Sequence, residues 1–185
     1  MKKIIIGTLV ATVIFFLYQT AMWMGGIHGE PGIYRADRDA IMQDLAKYQL
    51  KDGMYFMPAP TPGATMEQSE ADMEKSVGKP WAMLFYHNSM TGMMGSYMIL
   101  GILYTLIACL IASMILYHGN WGKFSTRFIV SMGLAIFTLA QGVLDDMNWW
   151  SYPWDFVKPQ VIDLTLGWAI CSAWLARYVK KPQAA

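Results

Sequence analysis

The sequence has little charge and few of the residues that enzymatic chemistry usually requires. Only 15% of its 185 residues are Asp, Glu, Lys or Arg, whereas 55% are hydrophobic. It has two cysteines and three histidines, and it lacks a glycine-rich phosphate loop, a Ser–His–Asp set and a His-Glu-x-x-His sequence. A net charge of +1 argues against nucleic acid as a partner. Soluble domains rarely reach this apolar share, so these features favour a non-enzymatic membrane protein.

The two cysteines, Cys109 and Cys171, both fall inside uncharged apolar tracts. A pair placed in this way is typical of small packing residues rather than of a disulfide. We therefore expect both thiols to be unpaired.

Long uncharged tracts predict an all-α integral membrane protein, a bundle of four transmembrane helices. The tract from Ile4 to Met24 alone is long enough to cross about 30 Å of hydrocarbon. We place the four transmembrane helices at residues 1–25, 89–118, 128–145 and 159–179. Between and after them we expect an extracytoplasmic insert (26–88), a cytoplasmic turn (119–127), a Trp-rich extracytoplasmic turn (146–158) and a cytoplasmic tail (180–185).

The first helix begins like a secretory signal peptide, because Lys2 and Lys3 precede its apolar tract. The tract is longer than a usual signal core, and no clear Ala-x-Ala site follows it. We therefore predict an uncleaved anchor.

The polar insert has the pattern of a small αβαβ unit. Residues 35–50 have helical spacing, and the segment from Met54 to Met57 is typical of a short strand. A capping-box pattern, Thr65 with Gln68, predicts the start of a second helix. A second strand is expected over residues 80–86.

Charge asymmetry predicts the orientation. Under this topology the inner segments hold seven basic residues and no acids, and the outer segments hold seven basic residues and thirteen acids, a balance of 7 − 13 = −6. The positive-inside rule then places both termini in the cytoplasm, with the insert on the opposite side of the membrane. The inner basic residues are Lys2, Lys3, Lys123, Arg127, Arg177, Lys180 and Lys181.

Small residues recur at four-residue spacing in three of the predicted spans. Such pairs let transmembrane helices approach closely, so they predict a compact bundle. The pairs are Ala108 with Ala112, Ser131 with Ala135, Ala169 with Ala173, and Ser172 with Ala176.

The candidate site residues lie at the outer face. Ionisable groups at membrane depth are functional candidates by default, and Asp145 and Asp146 end the third predicted span while Asp163 starts the fourth. For all three, an interfacial or helix-capping role is the alternative. A metal site would need His28 or His87 beside Asp145 or Asp146.

The Trp-rich segment offers a second kind of site. Trp149 and Trp150, with Asp163 and Trp168, are the candidate residues for a lipid or quinone pocket, and an interfacial aromatic belt is the alternative. We predict no cofactor, and a bound lipid or quinone is left open.

Short motifs in the last third of the chain resemble those of a family of uncharacterised bacterial inner-membrane proteins. The resemblance lies in Asn148-Trp149-Trp150, in Tyr152-Pro153 and in Asp163 with Gly167-Trp168, and the strand Gly53–Pro58 resembles a feature of the family's insert. It implies an anchor helix, an outer insert and three further helices. It implies no activity.

Two non-enzymatic functions follow from these expectations. The first is an accessory or structural subunit of a larger membrane complex, such as an electron-transfer complex, with membrane lipids and other integral membrane subunits as partners. The second is a protein that binds or transports a lipid, a quinone or a metal at the outer bilayer face. An enzyme that uses the outer acids would need two carboxylates with separated pKa values, which nothing in the sequence indicates.

Overall fold

The computed structural model describes residues 1–29, 38–90 and 92–181, and the chain divides into two compact units. The first unit combines Met1–Tyr34 with Met93–Ala185, and the second is Arg35–Gly92. The first three residues of the predicted insert helix and the last four of the predicted tail lie outside the described residues.

The described residues form eight α-helices, two β-strands and two π-helical segments. The π-helical segments Leu139–Leu144 and Asp163–Gly167 each join two α-helices into one continuous helix. In chain order the α-helices and strands are α1 (Lys2–Met24), α2 (Arg38–Lys47), β1 (Gly53–Met57), α3 (Met66–Glu74), β2 (Ala82–Tyr86), α4 (Met94–His118), α5 (Phe124–Thr138), α6 (Asp145–Trp150), α7 (Trp154–Ile162) and α8 (Trp168–Tyr178).

Three helices are long and apolar enough to cross a membrane: Lys2–Met24, Met94–His118 and Phe124–Trp150. Their mean hydropathies are 2.0, 2.6 and 1.7. The prediction of a helical membrane protein is confirmed at this level. The continuous helix from Trp154 to Tyr178 is not among the three, so a fourth span stays a prediction.

The Trp-rich segment differs from the expected turn at 146–158. Residues Asp145–Trp150 extend the third helix, and the next helix already begins at Trp154 rather than at residue 159. Only three residues separate the two helices, and Ser151 among them has a left-handed backbone with φ +50°. Asp, Asn and Trp are compatible with a helix, so the reversal falls where Ser151 and Pro153 end the helical pattern.

The core of the first unit lies between α1, α4, α5 and α8. Both cysteines are fully buried in it and are free, as predicted. Close helix approach is visible at Gly7, where a Cβ atom would lie only 2.3 Å from the Val179 side chain. The Trp174 indole donates a hydrogen bond across the same interface to the carbonyl oxygen of Gly7, at 3.2 Å.

The predicted small-residue contacts form in part. Ser131 and Ala135 of α5 and Ser172 and Ala176 of α8 are buried, and the two serine hydroxyls are hydrogen-bonded at 2.8 Å. In contrast, Ala108 and Ala173 are exposed. Contact between α5 and α8 therefore rests on small residues, as helix packing in lipid requires.

The second unit has the expected αβαβ order. Its strands pair antiparallel from Gly53 opposite Tyr86 to Met57 opposite Ala82. The predicted capping box is confirmed, with the Thr65 hydroxyl and the Gln68 side chain each bonded to the other residue's backbone. At the open end of the strand pair, the Asp52 carboxylate accepts hydrogen bonds from both the backbone and the side chain of Asn88.

Candidate functional site

A buried polar cluster joins the end of α1 to the middle of the last helix. The Nε2 atom of His28 lies 2.9 Å from Oδ1 of Asp163. The side-chain amide of Gln19 donates to the other carboxylate oxygen at 3.2 Å. The His28 side chain is fully buried and that of Asp163 is 12% exposed. Both oxygens of the Asp163 carboxylate are thus in contact with side chains from the N-terminal part of the chain, Gln19 and His28.

The end of α1 explains how His28 reaches the cluster. The helix ends at Met24, and Gly26 takes a left-handed backbone with φ +68° that few other residues adopt without strain. The backbone N–H groups of Ile27 and His28 then both donate to the carbonyl oxygen of Met22. This helix-terminating turn folds the chain back so that His28 lies against the helix it follows.

The Trp23 indole ring contacts the imidazole of His28 edge-on, with ring centroids 5.1 Å apart. The imidazole is thereby held between an aromatic ring and the carboxylate of Asp163. Its orientation is fixed from two sides.

Asp163 opens the π-helical segment Asp163–Gly167. This placement corrects the expected capping role, because the helix begins at Trp154 and Asp163 lies nine residues beyond that start. Single π-turns inside α-helices are frequent at functional sites. The carboxylate is held inside a helix, where side chains rather than a helix end provide its hydrogen-bond partners.

The π-helical segment also brings Tyr18 close to the last helix. A Cβ atom on Gly167 would lie 2.5 Å from the Tyr18 ring, so only glycine permits this approach. The ring of Phe15 contacts two other rings: it stacks on Tyr18, with centroids 6.1 Å apart, and meets Trp168 edge-on, with centroids 6.2 Å apart. Glycine at position 167 therefore allows an aromatic wall to form beside the carboxylate.

Among the described residues, two buried polar atoms of the cluster have no hydrogen-bond partner: the Tyr18 hydroxyl and Nδ1 of His28. The Tyr18 hydroxyl lies beside the backbone of Gly167, but no atom there meets hydrogen-bond geometry. Buried polar atoms are almost always paired, and an unpaired one calls for an explanation such as a missing ligand or water.

The contact with Asp163 distinguishes the two ring nitrogens of His28. In the neutral tautomer that donates from Nε2 to the carboxylate, Nδ1 is an acceptor. Within the described residues no acceptor takes the hydrogen of the Tyr18 hydroxyl. Each of the two atoms is thus free to pair with a ligand or a water molecule.

The structure combines the predicted site residues differently from the sequence analysis. His28 contacts Asp163 rather than Asp145 or Asp146, which are both exposed in α6. In the second unit, Nδ1 of His87 lies 3.7 Å from the Asp52 carboxylate. Within the described residues no three His, Cys, Asp or Glu side chains form a group that could hold a metal ion.

The predicted aromatic residues separate into two groups. Trp149 and Trp150 are 72% and 39% exposed, whereas Trp168 is buried and its indole N–H donates to the carbonyl oxygen of Ser131 at 2.8 Å. Only Trp168, through Phe15, belongs to the surroundings of the cluster. The exposed pair fits the alternative of an interfacial belt.

Sequence reasoning missed two members of the cluster, Tyr18 and Gln19. The available signal was that Gln19 is the only strongly polar side chain in an apolar tract of more than twenty residues. Such a residue in a membrane helix usually faces a polar partner inside the bundle.

Scans against protein-family models, curated proteins and solved structures find no match to the chain. The resemblance to bacterial inner-membrane proteins therefore stays a prediction.

Proposed function

We propose that the protein is a non-enzymatic membrane protein that binds the head group of a small amphiphilic ligand, of the quinone class, at its polar cluster. The observation that carries this proposal is the pair of buried atoms, His28 Nδ1 and Tyr18 Oη, that have no partner among the described residues and lie beside the Asp163 carboxylate. A ligand hydroxyl would donate to His28 Nδ1, and a ligand hydroxyl or carbonyl oxygen would accept from the Tyr18 hydroxyl.

The proposal includes the membrane layout. We take the continuous helix from Trp154 to Tyr178 as a fourth span, because its polar residue Asp163 faces other helices instead of lipid. Basic residues at the opposite end of the bundle favour a cytoplasmic location for both termini in a bacterial inner membrane. The cluster then lies at the outer bilayer face.

The chemistry of the cluster favours a flat, hydrogen-bonding head group over a metal ion. One imidazole and one carboxylate are too few for the usual three or four ligands of zinc. Phe15 stacks on Tyr18 and Trp23 contacts His28, so an aromatic ring lies beside each residue with an unpaired atom and suits contact with another ring. A quinone or quinol supplies both a ring and oxygens that accept or donate hydrogen bonds.

Tryptophan fluorescence tests the proposal, because Trp23 contacts His28. Titration of the detergent-solubilised protein with ubiquinone-1 should give saturable quenching. Tyr18→Phe should weaken binding about 2- to 10-fold, the effect of one hydrogen bond. The matched control is Tyr104→Phe, since that ring is 63% exposed on α4 and should not alter binding.

Two results would contradict this function: linear, unsaturable quenching of the wild-type protein, or equal affinities for the wild-type protein and Tyr18→Phe. The control separates a specific effect of the hydroxyl from a general effect of removing tyrosine.

An accessory subunit of a larger membrane complex is the second candidate, and exposed small residues favour it. Gly101 and Ala108 are exposed on α4, and Gly133 and Ala140 are exposed on the third helix. Members of each pair are seven residues apart, so each pair shares one helix face. Small residues on an outward face favour contact with another helix rather than lipid alone.

Native purification in mild detergent tests this second candidate. Gly133→Leu should release a stoichiometric partner without disturbing the chain, because a Cβ atom there meets nothing within 4 Å. Phe137→Leu, which changes a 68% exposed side chain of the same helix, is the control and should keep the partner. Migration of the wild-type protein as a lone small particle would refute the candidate.

A further inference from the structure

We propose that a basic cleft at the other end of the bundle binds the phosphate head group of an anionic phospholipid. The cleft has a volume of about 760 Å³ and is bordered by the turn between α4 and α5. Its cationic lining residues are Lys3, Arg127, Lys180 and Lys181. This inference goes beyond the proposed ligand site and depends only on insertion of the helices in a membrane.

Three helix ends bring these cations together. Lys3 lies in the first turn of α1, Arg127 lies in the first turn of α5, and Lys180 and Lys181 follow the end of α8. The sequence separation between Lys3 and Lys180 is 177 residues, so the cleft is a product of the fold.

Backbone carbonyl groups hold two of the cations in place. The Arg127 side chain donates from Nε to the carbonyl oxygen of Ala176 at 2.8 Å and also bonds the carbonyl oxygen of Gly122. Lys3 donates to the carbonyl oxygen of Lys180 at 3.5 Å. A guanidinium has five N–H donors, so Arg127 keeps donors for a phosphate after both of these contacts.

The charge of the cleft is unbalanced. Its described lining residues include four cations and no Asp or Glu. Such a concentration of positive charge attracts a multivalent or phosphate-bearing anion. Basic clefts between helix ends on the cytoplasmic side are known to receive anionic lipid head groups.

The depth of the cleft favours a lipid over a free phosphate ion. The buried side chain of Leu116, near the end of the apolar helix α4, lines it. Trp121 also lines it and donates its indole N–H to the carbonyl oxygen of Ile115 at 2.9 Å. Indole side chains are enriched at the level of the lipid head groups. Because Trp121 lines the same cleft as the four cations, we expect the cations to lie at the depth of the lipid phosphates.

Thermal unfolding in neutral detergent, followed by tryptophan fluorescence, tests this inference. A ligand that binds only the folded state raises the melting temperature, so dioleoylphosphatidylglycerol should produce a saturable rise. Dioleoylphosphatidylcholine and inorganic phosphate should produce none. Removing both lysines with Lys180→Gln and Lys181→Gln should raise the half-saturating lipid concentration roughly 30-fold, since each lysine near a lipid surface contributes about fivefold.

The matched control carries Lys51→Gln and Lys79→Gln, the same charge change at two exposed lysines of the second unit. It should keep the wild-type response. An equal rise with phosphatidylcholine, or an unchanged half-saturation in the Lys180/Lys181 double variant, would overturn the inference. A full response to inorganic phosphate alone would also overturn it, in favour of a free-anion site. Ubiquinone-1 binding is measured separately, so failure of one proposal is distinguishable from failure of the other.

Discussion

Removing the Tyr18 hydroxyl should make the ligand-free protein more stable, whereas removing the Asp163 carboxylate should make it much less stable. The two groups belong to one cluster but differ in their partners. The hydroxyl is buried and unpaired, and the carboxylate accepts from Gln19 and lies in contact with His28. Opposite signs for neighbouring polar groups are expected only if the cluster has the geometry described above.

The magnitudes follow from these contacts. A buried polar group without a partner costs about 1–3 kcal/mol. Removing the hydroxyl with Tyr18→Phe should therefore raise the free energy of unfolding by about 1 kcal/mol, with the small change in packing included. Asp163→Ala removes two hydrogen bonds to a charged acceptor, each contributing about 1.5–3 kcal/mol, and leaves both donors unpaired. We expect a loss of about 3 kcal/mol or more.

Unfolding by sodium dodecyl sulfate, followed by circular dichroism, measures both changes in mixed micelles. Asp155→Ala is the control for the carboxylate, because Asp155 lies on the same helix but is exposed, and its loss should cost less than about 1 kcal/mol. The reasoning is refuted if Tyr18→Phe destabilises the protein by 1 kcal/mol or more. It is also refuted if Asp163→Ala and Asp155→Ala have equal effects.

Two further predictions concern other positions. Gly167→Ala should destabilise the protein by about 1–3 kcal/mol, because its Cβ atom would lie 2.5 Å from the Tyr18 ring. The control Gly133→Ala should be neutral or stabilising, since a Cβ atom there meets nothing within 4 Å. Unfolding in sodium dodecyl sulfate compares the two variants, and equal losses of stability would argue against the close approach. Hydrogen bonds from the backbone and then the side chain of Asn88 lower the pKa of Asp52 below its usual 3.8. The folded pKa is the lower one, so this contact stabilises the second unit above pH 3.8 and is lost as the pH falls through the folded pKa. Hydrogen exchange at the Asn88 amide should therefore accelerate in strong acid, and Asp52→Asn should abolish that pH step; an identical acid response in the variant would contradict the prediction.

Much of the secondary structure was predictable because local rules decide it. Uncharged tracts of more than twenty residues in α1 and α4 leave few alternatives to a membrane helix. The third long apolar helix has a shorter uncharged tract, between Arg127 and Asp145. Short strands followed by proline or a turn, and the Thr65–Gln68 capping box, depend only on near neighbours in the chain.

The end of the third helix was not predictable from these rules. Indole and carboxylate side chains at residues 145–150 suit an interfacial turn and a helix equally well, and the Trp-rich pattern predicted a turn over 146–158. The structure continues the helix to Trp150. The reversal is set instead by Ser151 and Pro153, of which only the proline is a strong local signal.

The site itself was the least predictable part because it depends on helix register. His28 and Asp163 are 135 residues apart, and Gln19 and Asp163 are 144 apart. A shift of α1 by one residue would rotate Gln19 by about 100° around the helix axis and away from the carboxylate. Composition and spacing along the chain contain no measure of that rotation.

Small residues and the polar cluster together determine this register. Gly7 and Gly167 each admit a neighbour where any side chain would collide, so α1 and the last helix meet closely at both ends of their contact. Close contact at two separated points leaves little freedom to slide or rotate, and Gln19 and Tyr18 are then held beside Asp163. Because lipid provides no hydrophobic force between helices, such packing must position the polar groups. The unpaired atoms of His28 and Tyr18 are thus held in fixed places before any ligand binds, which lowers the entropic cost of binding one.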